Sequence, residues 1–214
     1  MMDKIITSEL IDKINDFFLK YNISKDCDDI RENIKIITEA QCVGRYKDLR
    51  DKGGKYDSKT KEIILINSKI TQRLFLHEYI HKKSAKHRFL RPDLLGISYN
   101  ENFKKLNEAI TEKITCEILN IAKIDQMLHP YFSMFVAIEE LEKLISWDKI
   151  VQSYFFNDIK IYKQALGKDL KRFLDDVVKL YENYPLLYPK GSIKKTYYQY
   201  MHDDIVYIIS NHTS

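Results

Sequence analysis

The sequence feature that most constrains this fold is the motif HEYIH, in which His77 and His81 stand four positions apart and Glu78 follows the first histidine. Residues four apart lie on one face of an α-helix, so a helix brings both imidazoles within reach of one metal ion. The flanking residues 68–86 keep a helical pattern, and a scrambled chain would contain this motif only about once in a hundred cases. We therefore predict a helix with a metal-binding face and Glu78 beside the open side of the ion.

The segments around this helix predict an α+β fold that is mostly helical. An apolar stripe predicts a first helix over residues 8–21, and Asn67 or Ser68 can cap the HEYIH helix. Three stretches between the two helices favour strands: residues 32–40, 41–49 and 54–67. A turn at residues 57–60 divides the last stretch. We expect a small antiparallel sheet beside the HEYIH helix, followed by a helical C-terminal half.

Length and composition are consistent with one domain over residues 1–214. Residues 1–90 would hold the first helix, the sheet and the HEYIH helix, and residues 91–214 would form a helical subdomain. We interpret residues 87–102 as a connecting loop, because they contain a proline and a glycine. The three cysteines lack the spacing of a disulfide framework or a zinc finger, so we expect ordinary buried thiols.

Charge and hydropathy narrow the partners that we expect. The net charge is +4, and lysines alternate with acidic residues along most of the chain, which is typical of a solvated surface rather than a nucleic-acid-binding one. Residues 1–16 carry frequent charges and no apolar signal segment, and no later stretch has the ~20 apolar residues of a membrane span. We expect a cytoplasmic protein that binds neither membranes nor nucleic acid.

A second group of polar residues follows at positions 107–112, with the sequence NEAITE. Glu108 and Glu112 lie one turn apart on a helix that we predict from about residue 103 to residue 122, beside apolar positions. A carboxylate in an apolar setting needs a partner, and a metal ion supplies one. We therefore expect this helix to pack against the HEYIH helix.

HEYIH followed by NEAITE resembles the gluzincin zinc metallopeptidases, and in particular the thermolysin-like pattern of HExxH with N-E-A-x-x-D on the next core helix. The resemblance is local, because it covers residues 77–81 and 107–112 only. It implies a zincin-like domain in which His77, His81 and Glu108 bind Zn²⁺.

The same resemblance implies two residues that orient the ligands. Glu112 stands where the family has an aspartate, and it would accept a hydrogen bond from the distal nitrogen of His77. Asn107 would do the same for His81. Glu112 is one methylene longer than the aspartate of the family.

His87 is a competing third ligand, because it follows His81 by six positions and so gives the histidine spacing of the metzincins. Metzincins turn the chain at a glycine between these histidines, and here that position is Ser84. In an unbroken helix His87 would lie about 240° from His81 and face away from the metal. We favour Glu108, because its helix also offers Glu112 as an orienting partner.

A peptidase of this kind needs a further donor to the oxyanion, commonly a tyrosine or a histidine. Tyr99 is the first candidate, since it precedes the helix of Glu108 roughly where thermolysin-like enzymes place theirs. The other candidates are Tyr131, Tyr197, Tyr198 and His202. Residues 61–66 form the strand before the HEYIH helix, where zincins present a sheet edge, so an extended substrate could add to it as a strand.

The function that we expect is zinc-dependent hydrolysis of a peptide or protein substrate, with Glu78 as general base activating a zinc-bound water. Two alternatives stay open: a catalytically silent zinc-binding regulatory or interaction protein, and a helical interaction protein without metal. Glu78 favours the hydrolase, because a purely structural zinc site does not need that carboxylate.

Overall fold

The computed structural model describes residues 2–88, 91–97, 101–122 and 132–175, and the single positions 178, 203, 206, 207, 209 and 210. The described α-helices include α1 (Met2–Ile5), α2 (Ser8–Lys20), α3 (Leu49–Lys52), α4 (Gln72–Ser84), α5 (Glu101–Ile118), α6 (Phe132–Glu142), α7 (Trp147–Phe156) and α8 (Lys160–Leu166). The strands are β1 (Ile34–Ile37), β2 (Gly54–Asp57), β3 (Glu62–Ile66), β4 (Lys86–Arg88) and β5 (Arg91–Leu94). Every helix within the described residues is too short or too polar to cross a lipid bilayer.

The larger sheet has three strands in the order β1, β3, β2, and together with the predominance of helix it confirms the expected α+β, mostly helical class. The sheet is mixed, because β2 pairs antiparallel with β3 as expected while β1 pairs parallel with it. β3 is therefore the central strand. The expectation that residues 61–66 offer a sheet edge to substrate is wrong, and in the described part of the chain the edges are β1 and β2.

The central position of β3 explains its uninterrupted apolar sequence, EIILI. Ile63 and Leu65 are buried in the main core, whereas Ile64 and Ile66 are buried in a smaller cluster on the other face of the sheet. The other buried members of that cluster are Ile37, Cys42 and Leu49. A strand that is covered on both faces needs apolar side chains at consecutive positions rather than at alternate ones.

The turn between β2 and β3 forms where the sequence predicts it. The Asp57 carboxylate accepts hydrogen bonds from the N–H groups of Lys59 and Thr60 at 3.0 and 3.4 Å, as in an Asx-turn. Lys61 closes the turn in the left-handed region, with φ of 61°. This hairpin fixes the register of β2 against β3 and hence the position of β2 beside α4.

Two stretches differ from their predictions. Residues 41–49 contain no strand; they form short 3₁₀ turns and the start of α3, and Gly44 with φ of 55° interrupts any extended run. Part of the predicted loop over residues 87–102 is instead a hairpin of β4 and β5. Strands of three and four residues are too short to show an alternating pattern, so the proline and glycine dominate the prediction.

The helix that carries HEYIH is α4, and it is shorter than predicted. Thr71 caps it, because its side chain accepts a hydrogen bond from the N–H of Leu74 at 3.1 Å. Asn67 and Ser68, the predicted caps, lie in a separate 3₁₀ turn. The helix ends at Ser84, and the extended backbone of the next residue leads directly into β4.

Packing fixes the face that α4 turns toward α5. Its fully buried side chains are Phe75, Leu76, Tyr79 and Ile80. α4 contacts β2, β3, α5 and α7. His77 and His81 each follow one of these buried residues directly, and their side chains lie against α5. The prediction that the HEYIH and NEAITE helices pack together is confirmed.

Two further predictions agree with the structure. α2 matches the predicted first helix within one residue, and its buried side chains are Leu10, Ile14, Phe17 and Phe18. The three cysteines, Cys27, Cys42 and Cys116, are buried free thiols.

Candidate metal centre

Three side chains from α4 and α5 converge on one point. The Nε2 atom of His77 lies 3.3 Å from Oε2 of Glu108, and Nε2 of His81 lies 3.4 Å from the same oxygen. One potential ligand atom from each residue lies within 4.8 Å of the other two. Among the described residues this is a group that could hold a metal ion, and it consists of the three ligands that the sequence proposes.

The spacing of these atoms can be compared with that of a tetrahedral site. Zinc binds imidazole nitrogen and carboxylate oxygen at about 2.0 to 2.2 Å, so two ligands of a tetrahedral ion lie about 3.3 to 3.5 Å apart. The distances from Glu108 to His77 and His81 fall at this value without rearrangement. Two imidazoles with one carboxylate also leave a fourth position open, as catalytic zinc sites do.

Glu112 lies on the far side of His77, as expected. Its Oε2 atom is 2.7 Å from Nδ1 of His77, and its Oε1 atom accepts a hydrogen bond of 2.5 Å from Nε of Arg73. Arg73 stands one turn before His77 on α4, and the Glu112 side chain is almost fully buried. Although Glu112 is one methylene longer than an aspartate, its carboxylate still reaches His77, and the bond to Arg73 holds it there.

His81 has a different set of neighbours from the one expected. Its Nδ1 atom lies 3.3 Å from the hydroxyl of Tyr154 on α7 and 3.5 Å from that of Thr111 on α5. Asn107 does not take the expected role, because its amide group bonds to the backbone of Leu95 and Ile97 instead. Those bonds tie α5 to the segment after β5. Burial raises the pKa of Tyr154, so its hydroxyl keeps its proton.

Glu78 is buried, with only 7% of the residue exposed, and it is not one of the three residues whose ligand atoms converge. Its Oε2 atom accepts a hydrogen bond of 2.6 Å from the backbone N–H of Tyr56 on β2. An antiparallel strand points alternate N–H groups away from its neighbour, and this one faces α4 rather than β3. The β2 edge therefore fixes the carboxylate of Glu78.

The carboxylates of Glu108 and Glu112 surround His77 with negative charge. Burial lowers the pKa of His77, but hydrogen bonds to Glu108 and Glu112 outweigh it and raise the pKa to about 10. Burial raises the pKa of Glu108, but the nearby charge of His81 and the hydrogen bond with His77 bring it well below its usual value. The carboxylates of Glu108 and Glu112 thus attract positive charge at the site, and a divalent cation would displace the proton of His77 on binding.

The structure describes the backbone of His87, the competing third ligand, but not the candidate oxyanion donors. The backbone of His87 lies in β4, beyond the end of α4. The proposed donors Tyr99, Tyr131, Tyr197, Tyr198 and His202 lie outside the described residues.

Sequence reasoning missed three residues that contact the ligands or their partners. Arg73 is four positions before His77, and Thr111 is three positions after Glu108, so helical spacing could have shown both. Tyr154 comes from a helix 73 positions beyond His81, and no local pattern indicates it.

No family model matches the chain, and neither a curated protein nor a solved structure was found that matches it. The interpretation of the site therefore depends on its own residues and their geometry.

Proposed function

We propose that this protein is a zinc-dependent peptide hydrolase whose metal is held by His77, His81 and Glu108. The observation that carries the proposal is the approach of both imidazole Nε2 atoms to one Glu108 oxygen at 3.3 and 3.4 Å. Two imidazoles and a carboxylate can bind iron(II) as well as zinc, and they are a ligand set of catalytic zinc peptidases, which also use a glutamate next to the first histidine, the place of Glu78 here.

Zinc in this site would supply a Lewis acid with an open coordination position. Glu78 would serve as the general base: its carboxylate takes a proton from the attacking water and returns it to the leaving nitrogen. The hydrogen bond from the Tyr56 N–H fixes Oε2 of that carboxylate, so Oε1 is the atom better suited to accept the proton.

The location of Glu78 also supports an extended peptide as substrate. Glu78 occupies the outward-facing N–H of Tyr56 on β2, which is an edge strand of the described sheet, so a peptide that adds to this edge would pair with backbone groups of β2 other than that N–H. A peptide paired along β2 would have its backbone next to the proposed base. This assignment replaces the predicted substrate edge at residues 61–66.

A zinc-binding protein without turnover is the second candidate, and one observation favours it. The hydrogen bond between Glu78 and Tyr56 gives the carboxylate a structural role that does not require catalysis. Exchange of Glu78 for glutamine separates the two candidates, because the glutamine carbonyl can still accept from the Tyr56 N–H but cannot act as a base.

The test compares zinc-loaded wild type with Glu78→Gln on a mixed peptide library, with cleavage read by mass spectrometry. The hydrolase proposal predicts that wild type cleaves and that Glu78→Gln binds zinc but loses cleavage by more than about a hundredfold. Glu140→Gln, a change at another buried glutamate that pairs with Lys143, should keep cleavage. If wild type and Glu78→Gln bind zinc and are equally inert, the protein is the silent zinc binder.

A further inference from the structure

The buried hydroxyl groups behind His81 form a directional chain. Tyr154 Oη lies 2.5 Å from Thr111 Oγ1, and Thr111 Oγ1 lies 2.8 Å from the backbone carbonyl of Asn107. Tyr154 and Thr111 are both fully buried. Each hydroxyl has one proton, whereas the Asn107 carbonyl can only accept.

These constraints determine the direction of each hydrogen bond. Thr111 donates its single proton to the Asn107 carbonyl, so it must accept from Tyr154. Tyr154 then has no second proton to give, and its oxygen can only accept from Nδ1 of His81, 3.3 Å away. The chain therefore favours the tautomer of His81 that carries its proton on Nδ1.

That tautomer leaves the lone pair of His81 on Nε2, the atom that faces Glu108. We infer that Tyr154 is a positioning residue of the metal centre, which acts through its hydroxyl to hold His81 in the tautomer and orientation that bind metal. The inference rests on the proposed metal site and adds to it a residue from α7, outside both motif-bearing helices.

The surroundings of Tyr154 hold its ring in place. Ser84 Oγ lies 3.1 Å from the Tyr154 hydroxyl and accepts a hydrogen bond of 3.2 Å from the N–H of Gly96. Ser84 has one proton, which it can donate to the His81 carbonyl at 2.9 Å or to the Tyr154 hydroxyl, and the much shorter distance of 2.5 Å to Thr111 favours Thr111 as the acceptor of the Tyr154 proton. A methyl group at Gly96 would lie 2.5 Å from Cε2 of Tyr154, so the ring fills the space there completely.

The experiment measures zinc affinity by competition with a chromophoric chelator for wild type, Tyr154→Phe and Tyr162→Phe. Tyr162 is the matched control, because it is equally buried and its hydroxyl bonds to Ser153 rather than to a ligand. Loss of a group that orients a metal-bound histidine typically weakens binding about 10- to 100-fold. We expect that loss for Tyr154→Phe and wild-type affinity for Tyr162→Phe.

A second pair of variants tests the chain itself. Thr111→Val removes the hydroxyl that accepts from Tyr154. The double variant Tyr154→Phe with Thr111→Val should bind zinc about as weakly as the single variant with the lower affinity, because either substitution alone already interrupts the hydrogen-bond chain. Losses that multiply would show that the two hydroxyls act separately and would overturn the chain.

A spectroscopic measurement on wild type does not depend on any variant folding. In the zinc-loaded protein the Nδ1 proton of His81 should appear in the proton NMR spectrum as a downfield, slowly exchanging resonance with a cross-peak to the Tyr154 ring. A rapidly exchanging Nδ1 proton would overturn the inference, as would equal zinc affinity of wild type and Tyr154→Phe. If wild type binds no zinc at all, the proposed function fails first and the inference fails with it.

Discussion

The substitution Gly96→Ala should destabilise the protein through two separable effects. Gly96 has φ of +57°, and placing a Cβ in this left-handed region costs about 1 to 2 kcal/mol. The added methyl would also lie 2.5 Å from Cε2 of Tyr154 and 2.8 Å from Oδ1 of Asn107, both buried and hydrogen-bonded. Overpacking of this kind costs about 1 to 3 kcal/mol, so the free energy of unfolding should fall by about 2 to 5 kcal/mol.

Gly44→Ala provides the matched control for this prediction. Gly44 has φ of +55°, but nothing lies within 4 Å of the position that an added methyl group would take, so only the backbone cost of about 1 to 2 kcal/mol applies. Urea unfolding followed by circular dichroism, with slopes unchanged among the three proteins, gives both values. Equal destabilisation by the two substitutions would refute the tight packing of Gly96 against Tyr154.

Two further predictions concern charged groups. Arg73→Met should weaken zinc binding on the order of tenfold in a chelator competition assay, because Glu112 loses the cation that fixes it, whereas Arg73→Lys should lose less. Burial raises the pKa of Glu117, but hydrogen bonds from Lys20 and Tyr21 outweigh this effect and lower the pKa below 4.5. The ionised Glu117 therefore stabilises the folded protein above about pH 4.5, and this contribution is lost as the pH falls through the folded pKa. Glu117→Gln should therefore be less stable than wild type by about 1 to 3 kcal/mol at pH 7 in urea unfolding, and the difference should close as the pH falls through the folded pKa of Glu117. A difference in stability that stays constant with pH would contradict this.

The sequence predicts those site residues that helical spacing alone places on one face of a helix. His77 and His81 are one turn apart on α4, and Glu108 and Glu112 are one turn apart on α5, so each pair shares a face whatever the rest of the fold does. In the structure these two faces are in contact. Spacing along each helix does not by itself predict this contact. The contact between them depends on the buried apolar group of α4.

Interactions between distant segments could not be predicted from the sequence in this way. The parallel pairing of β1 with β3 depends on which strand becomes central, and the alternating pattern of a short strand does not specify its neighbours. The resemblance implies that Asn107 orients His81, but the backbone after β5 provides three groups that form hydrogen bonds with its amide instead. Tyr154 then occupies the place beside His81 from a helix much later in the chain.

Zinc binding by the purified protein tests the metal centre most directly. Wild type, prepared without an affinity tag, should retain close to one zinc per chain after removal of excess metal. Glu108→Gln keeps the size of the side chain but loses the anionic ligand, so its affinity should fall by more than about a hundredfold, beyond the effect of an orienting residue. One zinc in wild type with this loss in Glu108→Gln is the predicted result; no zinc in wild type, or wild-type affinity in Glu108→Gln, would contradict it.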